Sequence, residues 1–306
     1  MGYVQVIKNL ADFINEINDI DIKNEPMKNR LLFRGHSNKE YELMPNIGRR
    51  FSKTWVNSLL TVERRLIETV QRRFPLVFPN MEYPVLLLAK LQHYGIPTRM
   101  MDLTENALVA LYFACKNTTE NGEPKDGEVI CFSSYTVSAF NSYANVIADT
   151  YRLTDNAQME ISNYIYRVRT QNYYVNQLML NFKDDIAKEK TRFKKYIETP
   201  IFLEVGNVCE RQVNQRGYFI IFPNELRKQS DENINIIDKI IPMEKENKKI
   251  IKRLIIPHEI KKTLVSQLER CGINDDFIFP DNIDYVCKNI VSEIKNSFPD
   301  DYIIGR

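Results

Sequence analysis

The chain has 306 residues, 43% hydrophobic and 27% charged, enough apolar material for a substantial core in one large or two small domains. Its 42 basic and 40 acidic residues leave a formal charge of +2, too near balance to point to nucleic acid by itself. The five cysteines, at 115, 131, 209, 271 and 287, lack Cys-x-x-Cys or metal-ligand spacing, so they read as buried free thiols and no metal centre is expected.

No apolar run reaches the ~18–20 residues of a membrane helix. Met1 to Leu10 is too short and mixed for a signal peptide before the acidic stretch from Asp12 to Glu25. A cytoplasmic protein with no membrane partner is the expectation. In chain order, Leu10, Phe13, Ile14 and Ile17 predict a first helix. Leu31 to His36 then reads as a short buried strand that delivers Arg34 and His36 at its end, with Gly35 between them allowing close approach. Tyr41 to Pro45 gives a second extended piece before the basic turn Arg49-Arg50.

Thr54 to Phe74 carries Leu59, Leu60, Val62, Leu66, Ile67 and Val70 on a helical period, with charges on the other positions. Those charges read as a solvated face, with Glu63 set apart from them. A loop marked by Pro75, Pro79 and Pro84 leads into the apolar run Tyr83 to Leu91. After a Gly95-Ile-Pro97 bend, Leu108, Leu111, Tyr112 and Cys115 predict another helix.

Strands are predicted near 128–133, 200–205, 217–222 and 250–256, in addition to 30–34. Val137 to Tyr196 reads as a largely helical insertion, and its aromatic and basic mixture is a weak signal for nucleic acid. Ile260 to Cys271 and Ile283 to Ile294 predict two closing helices. The resulting fold class is α+β, a central, mainly antiparallel sheet with helices packed around it, within a single domain over 1–306.

Chemistry concentrates in Leu91 to Thr104, where Gln92, His93, Tyr94, Thr98, Arg99, Asp102 and Thr104 surround the Gly-x-Pro bend. Polar groups between apolar segments must be bonded or functional, because leaving one buried and unpaired costs roughly 1–3 kcal/mol. A second polar concentration, Asn207 to Arg216, places Glu210, Arg211 and Gln215 beside a strand start. For Arg34 the competing reading is a structural ion pair.

Phe33-Arg34-Gly35, Gln92-His-Tyr-Gly-Ile-Pro-Thr-Arg99 with Asp102 and Thr104, Ala110-Leu-Tyr-Phe-Ala114 and Arg211-Gln-Val-Asn-Gln-Arg-Gly-Tyr-Phe219 together resemble the FRG domain. The resemblance runs over roughly residues 25–295 and includes Lys252 to Pro257 and Gly272 to Asp281. It implies a bacterial or phage protein acting in anti-phage defence or as a toxin. A distant likeness to ADP-ribosyltransferases, where a first-strand arginine followed by glycine anchors NAD, implies NAD as substrate, with transferase or NAD glycohydrolase activity.

On that reading Arg34, His36, Gln92, His93, Tyr94, Thr98 and Arg99 bind the ligand, and Asp102, Glu210 or Gln215 acts in catalysis. Such enzymes place a glutamate on a later strand, whereas Gln215 stands in the late motif here, with Glu210 close by. Two other readings stay open. The constellation could serve a regulatory module that recognises a nucleotide, nucleic acid or protein target without turnover, or it could be a polar core that locks the fold. No Gly-x-Ser-x-Gly elbow and no P-loop is present.

Overall fold

The computed structural model describes residues 3–20, 29–49, 58–153, 158–164, 194, 197–206, 215–229, 234–278 and 291. Its strands are β1 (Tyr3–Val6), β2 (Arg30–His36), β3 (Met100–Thr104), β4 (Thr119–Glu120), β5 (Glu123–Pro124), β6 (Gly127–Ser134) and β7 (Val137–Ser138). There follow β8 (Gln158–Glu160), β9 (Ile201–Glu204), β10 (Gly217–Ile221), β11 (Glu225–Lys228), β12 (Ile234–Ile237) and β13 (Ile250–Ile256). The helices used below are α1 (Leu10–Asn18), α2 (Glu63–Arg73), α3 (Pro84–His93), α4 (Ala107–Ala114), α5 (Ser142–Asp149) and α6 (Lys261–Arg270).

Eight strands form one sheet in the order β1-β13-β6-β2-β3-β10-β9-β7. All neighbours between β13 and β9 run antiparallel, and only the edge pairs β1/β13 and β7/β9 are parallel. The fold is therefore α+β. Successive side chains of a strand point to opposite faces, and the central strands use that alternation to build two cores. Leu32, Ile130 and Phe132 join the cluster that holds the apolar faces of α2, α3 and α5. Phe33, Val129, Cys131 and Leu254 join the other, with Phe13 of α1, Val109 and Leu111 of α4, and Leu264 and Leu268 of α6.

Three departures from the sequence reading matter for the site. The polar stretch after the Gly-x-Pro bend is not a linker between helices, because Met100–Thr104 forms a central strand bonded to β10 over its whole length. Of the helical stretch expected over Thr54 to Phe74, residues 54–57 lie outside the described residues, and the α-helix runs from Glu63, preceded by a tight turn over Leu59–Val62. Of the stretch 137–196, the described residues pack into the first core through Ala144, Val146, Ile147, Ile161 and Tyr164, and β7 extends the main sheet.

Most of the helix expected over 283–294 lies outside the described residues. Cys115 and Cys131 are buried, and burial pushes both thiols up to about 12. Cys271 is exposed, unlike the buried thiol expected of it, because it sits at the end of α6 where the chain turns at Gly272. Among the described residues no helix is long and apolar enough to cross a membrane.

Candidate functional site

Strand β2 keeps β6 as its partner along its whole length, yet it pairs with β3 only at Phe33 and Thr104. Beyond that pair the two central strands part, which leaves backbone groups on their facing edges without a ladder. Burying such groups is costly unless something else bonds them. Here Arg34 fills the role, its Nη1 donating to the carbonyl oxygen of Asp102 at 2.9 Å. The opening between the strands is a cavity of about 120 Å³ lined by Phe33, Arg34, Gly35, Asp102, Leu103, Thr104, Val109, Ala110, Phe113 and Gln215.

Each residue of Phe33-Arg34-Gly35 has a distinct task there. Phe33 is 2% exposed and anchors β2 in the second core. Gly35 lets α4 cross the strand in backbone contact, since a Cβ at this position would lie 1.9 Å from the carbonyl oxygen of Ala110. The helix is started at the right place by Asn106, whose Oδ1 accepts from the backbone N–H of Leu108 at 3.0 Å. Thr104 Oγ1 in turn accepts from the N–H of Asn106 at 2.9 Å and donates to the carbonyl of Gln215, tying β3, α4 and the approach to β10 together.

Arg34 is the polar centre of the pocket. Its side chain is 23% exposed, and Nη1 stands 3.6 Å from Asp102 Oδ2, a distance of charge pairing rather than a short hydrogen bond. Burial lowers the arginine's pKa and the Asp102 charge opposes that fall. The buried Nε of Arg34 has no hydrogen-bond partner among the described residues. Asp102 is oriented from behind by Gln92, whose Nε2 donates to Oδ2 at 3.2 Å. Gln92 is itself fixed, because its Oε1 accepts from Thr98 Oγ1 at 2.9 Å and from the Thr98 N–H at 3.3 Å. The bend at Gly95 to Pro97 thus returns the chain so that Thr98 can lock Gln92, and Gln92 can lock Asp102. Gln215 reaches the pocket from the start of β10 and donates through Nε2 to the carbonyl of Ile278 at 2.9 Å.

Arg99, Thr98, His93 and Tyr94, also singled out in the sequence, lie elsewhere. Arg99 is fully buried and gives Nε to Glu63 Oε1 at 3.1 Å, Nη2 to Glu63 Oε2, and Nη1 to Asn224 Oδ1 at 2.7 Å. That guanidinium is committed within the core and lines no part of the pocket. Thr98 is buried behind Gln92. His93 is buried at the end of α3 in edge contact with Tyr94, and Tyr94 in turn meets Phe78 with ring centroids 5.3 Å apart. Neither ring faces the cavity. Glu210 and Arg211 lie outside the described residues.

His36 and Arg49 form a group of their own next to Arg34. His36 is 3% exposed, and neither ring nitrogen has a partner among the described residues. Burial, reinforced by Arg34, Arg49 and Lys245, holds its pKa well below the ordinary histidine value. Its ring meets Tyr41 edge-on at 6.1 Å, and the Arg49 guanidinium lies over the same Tyr41 ring at 5.2 Å. Arg49 was visible in the sequence only as part of a basic turn; its approach to His36 depends on how residues 38–49 fold back over β2.

Asp126, His258 and Glu259 also come within metal-ligand reach of one another. Asp126 is already engaged, by Lys39 Nζ at 3.0 Å and by the His258 backbone N–H at 3.0 Å, so it serves as the anchor of the turn into α6. Compared with known families, residues 29–123 match the model of the FRG domain. That span contains β2, the bend, β3 and α4, and every pocket residue except Gln215. No curated protein and no solved structure matches the chain.

Proposed function

We propose that the pocket between β2 and β3, within the part of the chain that matches the FRG domain apart from Gln215, binds one end of a nucleotide and uses Asp102 to cleave it, with NAD as the substrate. The observation that carries this reading is the convergence of Arg34 and Asp102 on a single cavity walled by Phe33, Val109 and Phe113. About 120 Å³ is well below the volume that encloses a drug-sized ligand, roughly 300–1,000 Å³. It suits a single ring held against aromatic walls, with the rest of the dinucleotide lying outside.

Breaking a glycosidic bond develops positive charge on the ribose, and a fixed carboxylate lowers the barrier if it is aimed at that charge beforehand. Asp102 is the carboxylate among the lining residues, and Gln92 and Arg34 hold its Oδ2 while Oδ1 has no hydrogen-bond partner among the described residues. Gln215 carries no charge and is suited to orienting the ligand rather than to balancing an oxocarbenium ion. The proposal extends to NAD glycohydrolase or ADP-ribosyltransferase activity, and to a toxin or anti-phage role for a protein of this kind.

One observation favours a second reading, binding without turnover. Arg34 sits 3.6 Å from the same carboxylate and neutralises part of the charge that catalysis would use. Incubating the purified protein with NAD, with and without cell lysate, and following nicotinamide release and protein labelling separates the two. The enzyme reading expects product from the wild type and a loss of at least about a hundredfold in Asp102→Asn, with NAD binding retained. Binding of NAD with no product in either protein would leave the recognition module.

A further inference from the structure

We propose that Arg34, His36 and Arg49 form a phosphoryl-binding subsite beside the pocket, which takes the anionic part of the ligand whose ring end enters the cavity. This deepens the nucleotide reading above and rests on it for the ring-binding half. Donors and acceptors are out of balance in one place. Buried polar groups are nearly always bonded, yet Arg34 Nε and both ring nitrogens of His36 have no partner among the described residues. Among the described residues Arg49 contributes one hydrogen bond, from Nη2 to the carbonyl of Glu42 at 3.3 Å, and the rest of its fork meets no acceptor there.

Arg34 and His36 are two apart on β2 and so share a face of the sheet. Tyr41 then bridges His36 to Arg49, touching the imidazole edge-on and carrying the guanidinium on its face. Burial first and then the Arg34 charge lower the pKa of Arg49, opposed by Tyr41 and Glu42. Two guanidinium groups, one of them only loosely paired with Asp102 at 3.6 Å, and the single N–H of a neutral imidazole together present donors suited to an anion with several acceptor oxygens. A tetrahedral phosphoryl group supplies them in three dimensions, whereas a planar carboxylate serves one fork at a time.

The test uses inorganic pyrophosphate as the probe and the full chain. Titration calorimetry should show binding to the wild type, weakened by roughly tenfold or more in Arg49→Gln, the range expected for losing a charge-assisted bond. Arg49→Lys should recover part of the affinity, and Asp102→Asn should bind at least as well as the wild type. Should Arg49→Gln fold poorly, proton–nitrogen NMR of the wild type gives an independent readout, with the Nε–H signals of Arg34 and Arg49 expected to shift on adding pyrophosphate. No binding, or shifts confined to other arginines, overturns the subsite. Pyrophosphate binding without NAD consumption would keep the subsite and remove the activity. NAD consumption with an unchanged KM in Arg49→Gln would do the reverse.

Discussion

Arg34 and Arg99 both stand beside the split and the bend, and each meets a carboxylate, but their surroundings differ in kind. Arg99 is fully buried and engages Glu63 through two nitrogens and Asn224 through a third, while Asn224 is held in turn by the carbonyl of Ile237 at 3.0 Å. Arg34 is partly open and sits at a loose distance from Asp102; among the described residues it makes one hydrogen bond, to a backbone carbonyl, and its buried Nε has no partner. A satisfied guanidinium in a core is a structural tie. One with donors to spare at the mouth of a cavity is available to a ligand. Residue type and proximity in sequence do not separate the two; the accounting of hydrogen bonds does.

The largest effect that would break this contrast is on stability at Arg99. Arg99→Ala leaves the buried Glu63 carboxylate without its partner, so a loss of about 3–5 kcal/mol is expected, read as a lower denaturant midpoint with an unchanged slope. A loss under about 1 kcal/mol would show that the core tolerates the charge and that Arg99 is not the structural member of the pair.

A smaller effect sharpens the account of His36. Its folded pKa lies below the ordinary value of 6.5, through burial first and then Arg34, Arg49 and Lys245. Above pH 6.5 the imidazole is neutral in both folded and unfolded chains, and its environment costs nothing on this account. As pH falls through 6.5 the unfolded chain takes up a proton that the folded chain refuses, so stability declines by up to about 1.4 kcal/mol per pH unit until the folded value is reached. Unfolding measured between pH 7 and 5 should therefore fall more steeply for the wild type than for His36→Gln. Equal slopes would contradict the assignment.

Much of the architecture could be read from residues alone, because strands such as Leu31–His36 and Gly217–Ile221 are apolar runs ended by glycine or polar residues, and α6 has a clean stripe. Met100–Thr104 escaped because five residues containing Asp102 and Thr104, between two helices, offer too short a pattern to separate strand from turn. Its identity as a strand comes from pairing with β10, more than a hundred residues later in the chain. The polar concentration around Arg34 and Asp102 was legible, since both stand in short motifs at element ends. The division of labour within it was not. Arg99 takes its partners from positions 63 and 224, and Arg49 lies over Tyr41, whose ring also meets His36, only through the fold of the intervening loop, so neither role leaves a local mark.

The central claim is that Arg34 is a ligand residue and not a second Arg99. Replacing it with alanine opens the cavity to water, which can solvate the half-exposed Asp102 carboxylate and bond the backbone carbonyl that Arg34 had served, so the expected stability change is within about 1 kcal/mol. The decisive measurement is calorimetric titration of NAD into wild type and Arg34→Ala, with thermal unfolding run on the same samples. The account predicts binding by the wild type, its loss in the variant, and nearly equal unfolding midpoints. Unfolding of Arg34→Ala at a midpoint as low as that of Arg99→Ala, or undiminished NAD binding by a stable Arg34→Ala protein, would contradict it.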